Sequence, residues 1–196
     1  MEAQPKLCTG IILAGGKSSR MGKDKGVLTV NGTMMVEHVI HSLNKNVSSI
    51  IIVANNDNYN QFGFPVVKDV IHECGPMGGI YSGLLHSQTD LNIIVSCDIP
   101  FVSSELIEAL SSAPDDCDIV VPQLNGELEP LCARYRKGCA LRMATYLDSG
   151  MLRLRSALQD FKLRILDPWS ISGFDPNQLA NINTPEELKQ FNTLAK

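Results

Sequence analysis

A chain of 196 residues, with 44% hydrophobic and 19% charged side chains, has the length and composition of a globular protein with one sizeable core. Its formal net charge of −4 argues against a general nucleic-acid binder, because such proteins usually carry a basic surface. No apolar run approaches membrane-spanning length, and the amino terminus lacks the apolar segment of a secretory signal. We therefore expect a cytoplasmic protein whose partners include neither membrane nor nucleic acid.

The first half of the chain alternates between strand-like and helix-like patterns. In chain order it predicts a strand at 7–13, a helix at 33–43, a strand at 48–54, a glycine-rich turn at 75–79 before a helix at 80–87, a strand at 91–97, a helix at 103–112 and a strand at 117–122. Within the strand predicted at 48–54, residues 50–54 are continuously apolar and mostly β-branched, which is typical of a strand buried on both faces of a parallel sheet.

The second half continues with a strand within 127–136, helices at 138–148 and 152–160 separated by Gly150, and a short strand at 162–167. The last helix has a strong start signal, since Thr184 can cap it, Pro185 fits its first position and Glu187 completes a capping box. The alternation predicts one α/β domain over 1–196, with ligands outside the carboxyl ends of the strands.

Six cysteines occur without a C-x-x-C pair and without histidines at zinc-like spacing. Several lie inside apolar runs, where cysteine behaves as a small hydrophobic residue. We expect free thiols in a reducing compartment. The four histidines match no site pattern and are interpreted as surface or packing residues.

The stretch GIILAGGKSSRMGKDK, residues 10–25, places two adjacent glycines and four cations directly after the first predicted strand. Gly15 and Gly16 allow close approach of a ligand, because neither carries a Cβ. Arg20 offers a planar fork to phosphate oxygens, and Lys25 offers a compact charge. The stretch therefore indicates a phosphate site, although a glycine turn with solvated cations has the same local pattern.

Two familiar phosphate motifs do not fit this stretch. A P-loop counted from Gly10 needs lysine at position 16, but glycine stands there and the lysine follows at 17. The dinucleotide fingerprint G-x-G-x-x-G fails because Gly15 and Gly16 are adjacent.

The segment LAGGKSSRMGKDK at 13–25 resembles the L-A-G-G-x-S-x-R-M-G-x-D-K signature of the molybdenum cofactor guanylyltransferase family, which is one of the nucleotidyltransferases of the nucleotide-sugar pyrophosphorylase type. Three further segments agree in order, GPMGGI at 75–80, CDIPFV at 97–102 and NINTPEEL at 181–188. The resemblance implies a Rossmann-like three-layer α/β sandwich around a mostly parallel sheet. It also implies an enzyme that uses Mg²⁺ to transfer GMP from GTP to the phosphate of molybdopterin, with release of pyrophosphate.

The resemblance assigns roles to individual residues. Arg20, Lys25 and Asp98 are expected to be catalytic, and Asp98 to hold the Mg²⁺, which commonly takes one or two carboxylates together with substrate phosphates. The expected nucleotide-binding residues are Leu13, Ala14, Gly15, Gly16, Lys25, Asn55, Asp69, Gly75, Gly78 and Asp98. Asn181 and Asn183 are expected to bind the acceptor, so that the amino-terminal part binds nucleotide and the carboxy-terminal part binds the pterin.

Three features of the pattern refine these roles. Asp24 stands between cations, where we expect it to orient Lys25 rather than touch substrate. Asn55 departs from the family pattern, which carries its asparagine earlier, where this chain has Val53. The glycines of 75–80 are expected to form a loop through which the backbone approaches the purine edge.

Two other classes of function stay open at this point. One is a sister transferase that uses another nucleotide or acceptor, such as a molybdopterin cytidylyltransferase or a sugar-1-phosphate nucleotidyltransferase. The other is a nucleotide-binding module without turnover, which Lys25 and Asp98 argue against. The expected partners are GTP, molybdopterin or the molybdenum cofactor, and proteins that deliver the cofactor or accept the product.

Overall fold

The computed structural model describes residues 7–15 and 24–194. In chain order the strands are β1 (Cys8–Leu13), β2 (Thr29–Val30), β3 (Thr33–Met34), β4 (Ser49–Val53), β5 (Val66–Val67), β6 (Leu91–Ser96), β7 (Ile119–Leu124), β8 (Glu127–Leu128), β9 (Cys132–Arg136) and β10 (Leu163–Leu166). The α-helices are α1 (Met35–Leu43), α2 (Gly75–His86), α3 (Ser104–Ser112), α4 (Cys139–Asp148), α5 (Leu154–Ala157) and α6 (Pro185–Leu194).

Within the described ranges, eight of the strands form one sheet in the order β10-β7-β9-β6-β1-β4-β5, with β8 paired to β7. Strands β6, β1, β4 and β5 run parallel to one another, as do β7 and β10. Strand β9 is inserted antiparallel between β6 and β7. Strands β2 and β3 form a separate hairpin. The prediction of a mostly parallel central sheet is confirmed.

Helices cover both faces of this sheet, because alternate side chains of its strands point to opposite sides. On one face Ile12 and Ile93 pack in a cluster with residues of α1 and α3. On the other face Ile11 and Ile94 pack in a second cluster with residues of α2 and α4. The three-layer sandwich expected from the sequence is therefore confirmed. None of the helices in the described ranges is long and apolar enough to cross a bilayer.

The predicted turn at 75–79 is wrong, because α2 begins at Gly75 and includes this segment. Pro76 is accommodated in the first helical turn, because main-chain N–H groups there have no intrahelical acceptor and its lack of one costs no hydrogen bond. Gly78 serves packing, since a Cβ there would lie 2.9 Å from the Cβ of Cys74. Gly75 does have the positive φ of a turn, +59°, but as the first residue of the helix, whereas Gly78 allows close packing.

The second half follows the prediction with local differences. The strand expected within 127–136 is divided into β8 and β9, with Pro130 in the interval, where it donates to no ladder. The helix expected at 152–160 is one α-helical turn, α5, continued by a 3₁₀ turn. The capping box before α6 is confirmed, since the Glu187 N–H donates to Thr184 Oγ1 at 3.2 Å and the Thr184 N–H donates to Glu187 Oε2 at 3.0 Å.

The close contact of α2 with the sheet can be tested at Gly83. A Cβ on Gly83 would lie 2.5 Å from Ile11 Cγ2 and 3.3 Å from Val53 Cγ2. We expect Gly83→Ala to lower the free energy of unfolding by about 1–3 kcal/mol, because overpacking outweighs the better helix propensity of alanine. Urea denaturation measures the change.

Gly138→Ala is the matched control, because a Cβ there has no heavy atom within 4 Å and the backbone φ is −57°. We expect its unfolding free energy to stay within about 0.5 kcal/mol of the unchanged protein. Equal stability of Gly83→Ala and the unchanged protein would contradict the tight fit between α2 and β1.

Candidate active site

A cavity of about 810 Å³ lies at the edge of the sheet where β1, β4 and β6 end. Strand β9 runs in the opposite direction, so Leu131, just before its start, reaches the same edge. Among the described residues, the lining consists of Leu13, Ala14, Gly15, Asp24, Lys25, Asn55, Asn56, Asp69, His72, Glu73, Gly75, Pro76, Ser96, Cys97, Asp98 and Leu131. This is the edge at which open α/β sheets bind their ligands.

Most residues predicted to bind the nucleotide meet in this cavity. Those that line it are Leu13, Ala14, Gly15, Lys25, Asn55, Asp69, Gly75 and Asp98. Gly78 lies inside α2 against Cys74 and is not part of the lining. Gly16 and Arg20, which were also predicted as site residues, lie outside the described residues.

Lys25 lies on a 3₁₀ turn, Lys25–Val27, that begins after Asp24. Its ammonium donates a hydrogen bond to Asn183 Oδ1 at 2.6 Å and lies 3.7 Å from Asp98 Oδ2. The side chains of Lys25 and Asp98 are only 20% and 16% exposed, so their attraction is screened less than that of a surface pair. The turn therefore delivers a partly buried cation to the carboxyl end of β6.

Asp98 has one carboxylate oxygen left for a ligand. Its Oδ1 is buried and has no hydrogen-bond partner among the described residues. An unsatisfied buried oxygen of this kind costs about 1–3 kcal/mol or more. Its main-chain carbonyl accepts the Ile182 N–H at 2.8 Å, which joins the end of β6 to the segment before α6.

The donor set fits a cation that is shared with a substrate. Within the described residues, no group of three or more His, Cys, Asp or Glu could hold a metal ion by itself. Mg²⁺ is usually held by one or two carboxylates and completed by substrate phosphates and water. Asp98, with its unpartnered oxygen, matches that chemistry.

Asn55 and Asp69 form a reciprocal pair beside Gly15. The Asn55 amide donates from Nδ2 to Asp69 Oδ2 at 2.8 Å, and its Oδ1 accepts the Asp69 N–H at 3.0 Å. The other carboxylate oxygen of Asp69, Oδ1, is buried without a hydrogen-bond partner among the described residues. Asn55 therefore holds Asp69 in place, and Asp69 retains an acceptor for donors of a ligand.

Asp24 is the centre of a second hydrogen-bond group. It accepts from the Gly26 N–H at 3.2 Å, from Asn56 Nδ2 at 2.6 Å and from the hydroxyl of Tyr59. The Tyr59 hydroxyl also lies 3.1 Å from the carbonyl oxygen of Ala14, at the end of β1. Asp24 thus contacts the turn that carries Lys25, whereas the Lys25 ammonium contacts Asn183 and Asp98.

The two asparagines predicted to bind the acceptor lie in the segment before α6. Asn183 contacts Lys25, and its N–H donates to Glu187 Oε2 at 2.6 Å. Asn181 is half-buried on the other side of the fully buried Ile182. Neither asparagine is part of the cavity lining, and Asn183 is linked to the cavity through its hydrogen bond with the Lys25 ammonium.

Several lining residues were not among the predicted site residues. They are Asn56, His72, Glu73, Pro76, Ser96, Cys97 and Leu131. His72, interpreted from the sequence as a surface or packing residue, lies on the cavity wall. Proximity in the sequence could have identified three of them, since Asn56, Ser96 and Cys97 lie within two residues of a predicted site residue.

Cys97 lines the cavity but is not prepared as a nucleophile. It is 5% exposed, and burial raises the pKa of its thiol well above the ordinary value, with Asp98 and Asp24 adding to the effect. Because the thiolate is the reactive form, this cysteine stays protonated and inert near neutral pH.

The sequence and fold match known nucleotidyltransferases. The family described as MobA-like NTP transferase domain matches residues 10–163. A molybdenum cofactor guanylyltransferase of Vibrio vulnificus is 38% identical over 196 residues, covering 97% of this chain and 98% of the relative. A probable molybdenum cofactor guanylyltransferase of Clostridium perfringens is 34% identical over 186 residues, covering 92% and 93%.

The solved structure of molybdopterin-guanine dinucleotide biosynthesis protein A from Archaeoglobus fulgidus superposes with a TM-score of 0.81, covering 95% of this chain and 98% of that one. At 22% identity it supports the fold alone. The family match and the curated relatives go further, because they span most of the sequence. The matched range includes the positions that meet in the cavity. The chain belongs to the MobA-like NTP transferase family and is a nucleotidyltransferase related over nearly its whole length to the molybdenum cofactor guanylyltransferases.

Proposed function

We propose that this protein transfers GMP from GTP to the phosphate of molybdopterin or the molybdenum cofactor, forming the guanine dinucleotide cofactor and releasing pyrophosphate. The observation that carries the proposal is the meeting of the Lys25 ammonium with the Asp98 carboxylate in the cavity. A metal-bound triphosphate needs a cation for its phosphates and a carboxylate for its metal. The choice of guanine and of the pterin acceptor is supported by the names of the relatives.

The reaction requires little proton transfer from the protein. A phosphate oxygen of the acceptor is already ionised near neutral pH and attacks the α-phosphorus of GTP. The new phosphorus–oxygen bond forms as the bond to the bridging oxygen breaks, and pyrophosphate leaves with that electron pair. Positioning and neutralisation of charge therefore supply the rate enhancement.

Lys25 supplies charge to the triphosphate. An ammonium carries three donors, so it can keep its bond to Asn183 while it donates to a phosphate oxygen. In a cavity that excludes much of the water, such a fixed cation stabilises developing negative charge more strongly than it would in water. We assign Arg20 and Gly16 to the same triphosphate.

Asp98 would hold a Mg²⁺ ion through its unpartnered oxygen. When bound there, the ion neutralises phosphate charge and orients the triphosphate. The carboxylate also faces Lys25, so its second oxygen keeps the cation near the same phosphates.

The two parts of the chain divide the substrates within one domain. The amino-terminal part supplies Lys25, Asn55, Asp69 and Asp98 to the nucleotide, and Gly75 lies on the same wall. The carboxy-terminal part supplies Asn181 and Asn183 to the acceptor. We propose that the pterin is handed over by a delivery protein and that the product passes to an acceptor protein.

The nucleotide specificity is tested by offering GTP, CTP, ATP and UTP in turn with Mg²⁺ and molybdopterin. We expect pyrophosphate release to be fastest with GTP. Faster release with CTP would identify a cytidylyltransferase, and release that depends on a sugar-1-phosphate instead would identify a sugar nucleotidyltransferase. Binding of GTP without turnover would identify a binding module.

Asp98→Asn tests the metal ligand with little change of shape. We expect kcat to fall by about 100-fold or more, because removing one preorganised charge from such a site typically costs that much. Calorimetric titration of Mg²⁺ in the presence of GTP should show weakened binding. Asp116→Asn is the control, since Asp116 pairs with Arg164 in an exposed salt bridge and should leave both quantities unchanged. Retained activity of Asp98→Asn would remove Asp98 from the metal site.

Lys25→Ala tests the triphosphate contact. Hydrogen bonds to charged groups contribute about 1.5–3 kcal/mol, so we expect the Kd of GTP to rise about 10- to 100-fold. Lys137→Ala provides the comparison, because Lys137 donates to the Ser87 carbonyl outside the cavity. Calorimetry of GTP binding without acceptor gives both values, and an unchanged Kd for Lys25→Ala would contradict the assigned contact.

A further inference from the structure

Tyr59 is a fully buried residue whose hydroxyl contacts two residues of the cavity lining, Ala14 and Asp24. It lies on the 3₁₀ turn Asp57–Phe62, which follows β4, and its ring is 0% exposed. Its hydroxyl donates to Asp24 and lies 3.1 Å from the Ala14 carbonyl oxygen. The sequence patterns give no indication of this residue, and the proposed function has not used it.

The position of the hydroxyl is fixed by the core rather than by the cavity. The ring belongs to the cluster that fills one face of the sheet, and Phe62 packs against it with ring centroids 6.3 Å apart. A tyrosine side chain has few rotatable bonds, so a confined ring leaves its hydroxyl in a defined place. The end of β1 and the residue before Lys25 therefore meet at a rigid point.

The same hydroxyl sets how closely the turn approaches. A Cβ on Gly26 would overlap the Tyr59 hydroxyl, and glycine is the residue that permits this contact. The Gly26 N–H donates to Asp24, and the Leu28 N–H closes the turn by donating to the Lys25 carbonyl at 3.0 Å. Lys25 thus lies between two residues, Asp24 and Gly26, that Tyr59 holds.

We propose that Tyr59 is a positioning residue for nucleotidyl transfer, which acts through Asp24 to fix the turn that presents Lys25 to the triphosphate at the end of β1. The inference rests on the proposed function only in that Lys25 binds a nucleoside triphosphate. The identity of the base and of the acceptor does not enter it.

The hydroxyl acts as a donor and does not exchange protons with substrate. Burial raises the pKa of Tyr59 far above its ordinary value, and the neighbouring Cys97 and Asp24 add to the rise. The group therefore stays protonated near neutral pH. Its contribution is geometric, which distinguishes it from a general acid.

Tyr59→Phe removes the hydroxyl and keeps the buried ring. We expect the KM and the Kd of the nucleoside triphosphate to rise about 5- to 20-fold, while the KM of the acceptor stays within about twofold. Thr9→Val is the matched control, because it removes a different buried hydroxyl. Thr9 lies on β1, at the end of that strand opposite to the Tyr59 contact. The Thr9 hydroxyl contacts Ser49 at 3.1 Å and Thr89 at 2.8 Å. It should lose a comparable amount of thermal stability without a change in nucleotide Kd.

A double-mutant cycle with Asp24→Ala tests whether the two residues act as one unit, because alanine removes the acceptor of the Tyr59 hydroxyl. If Tyr59 acts through Asp24, the double variant binds nucleotide about as weakly as Asp24→Ala alone. Multiplication of the two single effects would overturn the proposed route through Asp24.

Hydrogen exchange of the peptide 24–30, measured without nucleotide, gives a readout that does not depend on the substrate. We expect faster exchange there in Tyr59→Phe and unchanged exchange in Thr9→Val. All variants are compared with the triphosphate that the unchanged protein binds most tightly, so a preference for CTP would refute the proposed function and leave this comparison valid. Unchanged exchange at 24–30, or faster exchange with unchanged nucleotide Kd, would overturn the role of Tyr59.

Discussion

The site depends on a contact at one lysine ammonium, where side chains from three distant parts of the chain meet. Lys25 arrives on a short turn, Asp98 follows β6 and Asn183 precedes α6, yet all three meet at one nitrogen atom. A partly buried cation needs acceptors and opposite charge around it. The Ile182 N–H, which donates to the Asp98 carbonyl, brings the last of these segments against the second. The contact therefore joins the part of the chain proposed to bind nucleotide to the part proposed to bind the acceptor.

The fold creates this meeting point by packing α2, a helix rich in glycine, against the central sheet. Strands β1, β4 and β6 run parallel, so their carboxyl ends share one edge. Helix α2 can approach that edge because Gly79 and Gly83 lie against Leu13 and Ile11 of β1. The start of α2 then contributes Gly75 and Pro76 to the cavity wall. The same helix thus packs closely on the sheet through Gly79 and Gly83 and shapes the ligand site through Gly75 and Pro76.

Periodicity predicted the parts of the structure that local sequence controls. The buried β-branched strands and the capping box at Thr184 and Glu187 were predicted because their signals lie within a few residues of each other. The segment 75–79 was assigned wrongly, since a glycine needed for packing has the same local appearance as one needed for a turn. Lys25 and Asp98 were predicted as site residues through the family resemblance. Tyr59 was not predicted, because its role depends on a hydrogen bond to Asp24, which lies 35 positions away in the sequence.

The cavity contains two buried carboxylate oxygens without hydrogen-bond partners among the described residues, one on Asp98 and one on Asp69. Each carries a desolvation cost that hydrogen bonds or a cation would relieve. Asp98 faces Lys25, where phosphates and a metal are proposed, whereas Asp69 is held by Asn55 beside Gly15. A ligand that relieves both costs must bring a cation to one place and N–H donors to the other. Magnesium-bound GTP has both properties, because its phosphates carry the metal and its guanine carries adjacent N–H donors. Binding of such a ligand removes the desolvation cost of both oxygens, and this gain adds to its binding free energy.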